Sequence, residues 1–358
     1  MRIRPVDLDD QLIMGLHDAY VAASTDDPGP KLSLAHFRHT VCTDAPGERV
    51  EVWVAAEEGK VAGGYALSLS RLDNTHMGWI FPLVVRPERR GHGLGSRLFE
   101  HALDRMRAHG RRLLLAETSA TGVGARFART HGMSVSLVEA RRTLDLRRAD
   151  WAALERLLPR VEGYSLERCV GPADPGLLPD LVTLMGGMND APRDADLEDA
   201  AFNVERLRAR EEGIPATGRT CYTMIARRDS DGAPAGYTRV YLQADRSDGW
   251  GSQADTMVLG EHRARRLGLL LKLGNLLWLR EREPQLERII TWNATSNAPM
   301  LAINEAMGFE LFDEWNEWRL TVEAGRSADS RSIVADKEPG TAGHATKGHG
   351  TTRLPGAN

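Results

Sequence analysis

The chain has 358 residues, 42% apolar and 27% charged, with a formal net charge of −4 and a pI near 6.3. That length corresponds to two ordinary domains, each able to bury a core, and the mildly acidic balance gives no global field for nucleic acid. No apolar run approaches the roughly 18 residues of a membrane span, and the opening MRIRPVDLDDQ lacks the apolar centre of a signal peptide. Cys42, Cys169 and Cys221 share no metal-ligand spacing and read as reduced thiols. The expectation is a cytoplasmic protein with no metal, no membrane contact and no nucleic-acid partner.

In chain order, residues 50–70 (VEVWVAAEEGKVAGGYALSLS) read as two strands around a hairpin turn at Glu58-Gly59-Lys60. The apolar run WIFPLVV (79–85) predicts a third strand. Pro82 inside it cannot donate a ladder bond. RPERRGHGLGS (86–96) follows, with Gly91, Gly93 and Gly95 alternating among Arg86, Arg89 and Arg90. Leu98, Phe99, Ala102, Leu103 and Met106 then mark one face of a helix. RLLLAE (112–117) predicts another strand, and a short helix stops at His131-Gly132, where glycine suits a C-cap.

A short helix, Pro159 and Gly163 mark a boundary near 148–165, after which the same order returns. CYTMIARRDSDGAPAGYTRVYLQ (221–243) is the hairpin, LGEHRARRLGLLLKLGNLL (259–277) the turn and helix, RIITWN (288–293) the strand, and Met307-Gly308 the last stop. Aligning Gly64-Tyr65 with Gly236-Tyr237, Gly95 with Gly268 and Gly132 with Gly308 gives offsets of 172, 173 and 176. Three landmarks in one order at nearly constant offset indicate a duplicated domain. The reading is residues 1–150 and 160–322 as two copies, each an α/β (α+β) domain with a mixed sheet flanked by helices. Residues 325–358 lack aromatics, are rich in Gly, Ser and Thr, and read as a disordered tail.

Alternating glycines admit backbone conformations closed to other residues, and the helix that follows points free N–H groups and its dipole into the turn. Both suit a phosphate or pyrophosphate. The spacing G-x-G-x-G is not that of dinucleotide folds, and no G-x-x-x-x-G-K-[ST] occurs.

Arg90-x-x-Gly93-x-Gly95 after Val84-Val85 resembles the acyl-CoA pyrophosphate loop of the GCN5-related N-acetyltransferase (GNAT) superfamily. The resemblance extends to the order of hairpin, strand, loop and helix in both copies, and Pro82 is compatible with the bulge that the family has in its central strand. The arrangement is similar to tandem members of that family such as mycothiol synthase. It implies acetyl-CoA as acyl-donor substrate and direct attack by a primary amine on the thioester, with no covalent enzyme intermediate and no metal. Carried onto this sequence, the cofactor-binding positions are Val84, Val85, Arg90, Gly91, Gly93, Gly95 and Ser96 in the first copy. In the second they are Met257, Val258, Arg263, Arg265, Arg266 and Gly268, where Ala264 and Arg266 replace two of the glycines. TWNATSNAPMLAINEAMGF (291–309) is similar to the last motif of the family and adds Asn297 and Asn304. The tyrosine that the family often uses as general acid is replaced by Ala128 and Asn304, so another group must protonate the thiolate.

The base candidates are Asp255, on one strand face with Gln253 at i and i+2, and Glu117, with Asn293 set opposite it by the local offset of 176. His76 reads as a loop residue. The asparagine motif favours catalysis in the second copy, with the first as a structural cofactor site or the reverse. The acceptor would be a small-molecule amine such as an amino sugar, an amino acid or an antibiotic-like amine, received by segments 22–48 and 171–218. Asp190, Asp194, Asp196, Glu198 and Asp199 in the latter suit a cation or a solvated helix cap. The alternatives are a non-catalytic acyl-CoA sensor or partner-binding module and a mycothiol-synthase-like enzyme. A duplicated chain can be its own pseudo-dimer, so a monomer or a homodimer fits.

Overall fold

A computed structural model of the chain describes residues 1–6, 10–44 and 47–323. The segment 325–358 read as a tail lies outside the described residues. The first half runs β1 (Arg2–Pro5), α1 (Asp10–Ala23), α2 (Leu34–Cys42), β2 (Glu48–Glu57), β3 (Lys60–Ser70), β4 (Met77–Val85), α3 (Leu94–Ala108), β5 (Leu113–Ser119), α4 (Gly122–Thr130) and β6 (Ser134–Asp145). After a linking helix, α5 (Trp151–Leu157), the second half repeats it: β7 (Tyr164–Val170), α6 (Leu178–Gly186), α7 (Val204–Gly213), β8 (Arg219–Arg228), β9 (Pro234–Gln243), β10 (Trp250–Val258), α8 (Leu267–Arg282), β11 (Arg288–Ala294), α9 (Ala298–Ala306) and β12 (Glu310–Thr321).

The twelve strands of the described residues join one sheet, in the order β1-β2-β3-β4-β5-β12-β6-β11-β10-β9-β8-β7. The last strands are exchanged. β12 lies between β5 and β6, while β6 pairs with β11 of the second half. Residues 1–324 accordingly form one compact unit, with no break at the sequence boundary. β6 and β12 each carry a bulge in their shared ladder, at Ser136 and at Phe312. The offset of 176 that relates these bulges also carries Glu139 onto Trp315, and those two residues face each other. They therefore sit at the local two-fold between the halves.

The predicted helical face of α3 is buried as expected, on Leu67, Leu69 and Leu114 of the sheet. The opposite sheet face is covered by α1 and α2 in the first half and by α6 and α7 in the second. α8 is buried over most of its length because α5 and three strands pack around it. One landmark shifts. Gly63 pairs with Val85 and Gly236 with Val258, so Gly236 corresponds to Gly63 rather than to Gly64. A one-residue shift reverses sides in a strand. Tyr65 accordingly packs with α3, its hydroxyl 2.6 Å from His101 Nδ1, whereas Tyr237 packs with α6 on the other face.

Candidate active site

Each half opens a slot in the sheet. β4 and β5 pair in parallel from Met77 opposite Leu113 to Ile80 opposite Ala116, and no further. β10 and β11 pair from Trp250 opposite Arg288 to Gln253 opposite Thr291, and no further. At the point of divergence the central strand is bulged against its other neighbour: between Tyr65 and Leu67 of β3, beside Pro82 as expected, and between Gln253 and Thr256 of β10. Arg86 N–H donates to the Ala62 carbonyl and Leu259 N–H to the Ala235 carbonyl, at 2.9 Å each. Because neighbouring residues of a strand point their N–H groups to opposite edges, Val85 and Val258 aim theirs into the slots.

A glycine loop and a helix N-terminus stand at the head of each slot. Gly91 and Gly93 hold φ of 78° and 75°, a left-handed conformation, and nothing beyond their own chain neighbours lies within 4 Å of where a Cβ would be. Ala264 and Arg266 adopt the same conformation at 62° each. The second loop has thus kept its backbone after losing its glycines. Gly95 and Gly268 are retained for packing, since a Cβ would stand 3.2 Å from Phe127 and 3.1 Å from Ile303. Arg90 Nε donates to the Val85 carbonyl at 3.2 Å, and Arg263 Nε to the Val258 carbonyl at 3.0 Å. These two arginines brace the loop against the strand, while Arg265 and Arg266 are exposed. Ser96 Oγ lies 3.0 Å from His131 Nε2.

The face covered by α1 and α2 differs sharply between the slots. Glu117 follows directly after the last paired residue of β5, on the side of Leu113 and Leu115. Glu317 of β12 is its cross-strand partner, and Glu139 of β6 lies opposite Trp315, one step along the same face. Burial first, then the charges of Glu139 and Glu317, push the Glu117 carboxyl up to about 8. Burial and Glu317 raise Glu139 in turn. Burial also raises Glu317, against a 2.6 Å hydrogen bond donated by the Ser136 hydroxyl. Neither Glu117 nor Glu139 has an ion-pair partner among the described residues.

By strand register and two-fold, the corresponding positions at the second slot are Trp292, Arg141 and Trp315. Arg141 is 3% exposed. It is paired with Asp27 at 2.8 Å and with Asp313, and its guanidinium lies 5.1 Å from the Trp292 ring and 4.8 Å from the Trp315 ring. One slot thus opens onto carboxylates, the other onto an aromatic wall with an internally neutralised arginine.

The remaining sequence candidates fall as follows. Gln253 is buried, and its amide donates to the Arg239 carbonyl at 2.8 Å and to Thr238 Oγ1 at 2.9 Å, pinning the bulge. The bulge breaks the i, i+2 alternation, so Asp255 does not share its environment and lies half-buried. Asn293 turns toward α9, where Asn304 Nδ2 donates to its Oδ1 at 2.7 Å. One residue is inserted between β11 and α9, which makes Trp292, not Asn293, the counterpart of Glu117. Asn297 caps α9, its Oδ1 accepting from Met300 N–H at 3.4 Å.

The acids of 190–199 are already matched. Asp194 and Asp196 bind Arg319, Asp199 binds Arg193, Asp190 binds Arg263 at 2.6 Å, and Glu198 accepts from Asn74 N–H at 2.9 Å. His76 contacts the Asp196 carbonyl at 3.0 Å, away from the slot. Glu139, Glu317 and Arg141 escaped the sequence reading, because only the strand exchange brings them to the slots. Among the described residues no group of His, Cys, Asp and Glu is arranged to hold a metal ion, and no helix is long and apolar enough to cross a membrane.

Comparison with known proteins gives a consistent picture. Residues 16–133 match the model of the acetyltransferase (GNAT) family. A tandem GNAT protein from the clavulanic acid biosynthesis pathway, solved without AcCoA, is 28% identical, with a TM-score of 0.75 over 90% of this chain and 98% of that one. A GCN5-related N-acetyltransferase from Sphaerobacter thermophilus shares the fold at 15% identity, with a TM-score of 0.62 over 90% and 95% of the two chains. No curated protein matches the sequence.

Proposed function

We propose, from the premise that the chain is a tandem GNAT protein, that it transfers an acetyl group from acetyl-CoA to a primary amine of a small molecule, and that the first slot is the catalytic one. The observation that carries this reading is Glu117: a carboxyl held near neutrality, at the opening of a slot whose head is an unobstructed glycine loop. The second slot presents Trp292 in that place, and its best acid, Asp255, is displaced by a bulge. Sequence features alone favour the second copy, on its asparagines. In the structure, however, Asn304 is engaged with Asn293 and Asn297 with the cap of α9.

In this reading the amides at the start of α3, with Gly91 and Gly93 opening the turn, receive the pyrophosphate. The edge of β4 at Val84 and Val85 receives the pantetheine arm, and Val85 N–H is a donor for the oxyanion that develops at the thioester carbonyl. An amine arrives as an ammonium ion, drawn by the carboxylate face. Glu117 takes its proton, and the neutral amine attacks. Ala128 supplies no acid, so the departing thiolate takes its proton from Glu117 or from water. A base must be ionised to act, so kcat/KM falls as pH drops through about 8.

The second loop, with its left-handed Ala264 and Arg266, favours a second role for that half: binding acyl-CoA without turnover. Calorimetric titration of acetyl-CoA, paired with thiol release in the presence of a panel of primary amines, tests both roles. Gly93→Asp is expected to remove one binding event and all amine-dependent thiol release, and Arg266→Asp to remove the other event and leave turnover. Turnover that survives Gly93→Asp would move catalysis to the second slot. Wild-type protein that binds no acetyl-CoA would end the acyltransferase reading.

A further inference from the structure

Glu117 and Glu317 belong to opposite halves of the sequence, yet they face each other across the β5–β12 ladder. Glu139 reaches the same face from β6. Three carboxylates therefore share one patch, Glu317 buried and the other two half-buried, and the nearest arginines already carry carboxylate partners. Arg319, two residues beyond Glu317, is held by Asp194 and Asp196, and its pull on Glu317 is opposed by burial and by Asp194. Arg141, two residues beyond Glu139, is held by Asp27 and Asp313. From β4 and the loop before α7, Trp79 and Leu197 pack against this face and bring no charge.

We propose that the first site is composite: Glu139 and Glu317 are positioning residues that keep Glu117 protonated until a cationic acceptor supplies the missing counter-charge, so that catalysis in the first half depends on a side chain of the second. Like charges this close cannot all ionise together. An ammonium placed among them relieves the repulsion, and the proton on Glu117 is then free to leave. The base is thereby armed by its own substrate. The counterpart positions support the assignment from the other side. There the two-fold places Arg141 and two tryptophans, and the guanidinium already has two carboxylates of its own. The acidic set is thus a property of the first slot and not of the fold.

The inference rests on the reading of Glu117 as the base, but its test does not require turnover. The Glu117 carboxyl carbon is followed by NMR against pH in the full chain, assigned with Glu117→Gln. Spectra are taken for wild type, Glu139→Gln, Glu317→Gln, the double variant and Glu317→Asp. The midpoint is expected to drop in each single glutamine variant, and by about one pH unit or more in the double, while Glu317→Asp stays near wild type. A double variant whose midpoint remains within a few tenths of wild type overturns the proposal. Should the double variant fail to fold, the two single variants decide it in the same way. Acetyl-CoA calorimetry on the same proteins separates the two claims: coupling without acetyl-CoA binding would sink the acyltransferase reading alone.

Discussion

Lys272 lies on α8 with 1% of its surface exposed, its ammonium 5.2 Å from the centre of the Phe309 ring and without a hydrogen-bond partner among the described residues. Burial pulls its pKa down to about 7 from 10.5. The folded state therefore holds this proton less tightly than the unfolded chain does. The destabilisation is fully present below about 7 and fades as pH rises toward 10.5. Lys272→Met keeps the volume and removes the charge. It should stabilise the protein by about 1–4 kcal/mol at pH 6, with a smaller gain at pH 9, read from thermal melts at the two pH values. In the sequence this lysine sits among the leucines of an apolar helical face, and its type gives no sign of burial. Glu117 was legible as a candidate because it closes the strand segment 112–117 read from the sequence. Its elevated pKa was not, since the burial that chiefly raises it and the two acids that add to it come from strands whose neighbours no local pattern specifies.

The two glycine loops show what an element can lose and still keep its shape. Both run into a helix, both are braced by an arginine on a strand carbonyl, and both turn through the left-handed region. A non-glycine residue there costs about 1–2 kcal/mol, offset in part by the backbone entropy that glycine carries in the unfolded chain. Ala264→Gly and Arg266→Gly should each raise the urea midpoint, by the equivalent of about 0.5–1 kcal/mol. No gain in either variant would mean that these side chains make contacts that offset the strain. The loop, its helix and its last glycine were readable as a repeat. The bulge at Pro82 was expected too, from the family resemblance together with a proline that cannot donate a ladder bond. The bulge after Gln253 has no proline to announce it. It moves Asp255 off the face of Gln253, and that is where the i, i+2 argument parted from the structure.

Across the whole molecule, periodicity and offset gave the two halves in the right order but could not give the pairing of their last strands. Strand register depends on contacts between residues far apart in the chain. The exchange ties the halves more firmly than a linker would: β6 without β12 and β11 exposes both of its edges, and β5 keeps β4 but loses β12. Residues 1–150 expressed alone should aggregate or fail to give a dispersed amide spectrum. The same fragment co-expressed with residues 160–323 should yield a 1:1 soluble complex by size exclusion. A stable, monomeric 1–150 fragment would show that the first half does not need the exchanged strand.

The local two-fold has a consequence for how the two faces came to differ. A homodimer of a single copy must place the same residue on both sides of its axis, so any acid installed for one site appears in the other as well. In a fused chain the axis positions are encoded twice. Glu139 meets Trp315 there, an unlike pair that no symmetric assembly could make. Joining the copies end to end thus released them from obeying one another: a substitution could sharpen one pocket without being written into its twin. The chain retains the architecture of a dimer, with the freedom of two genes.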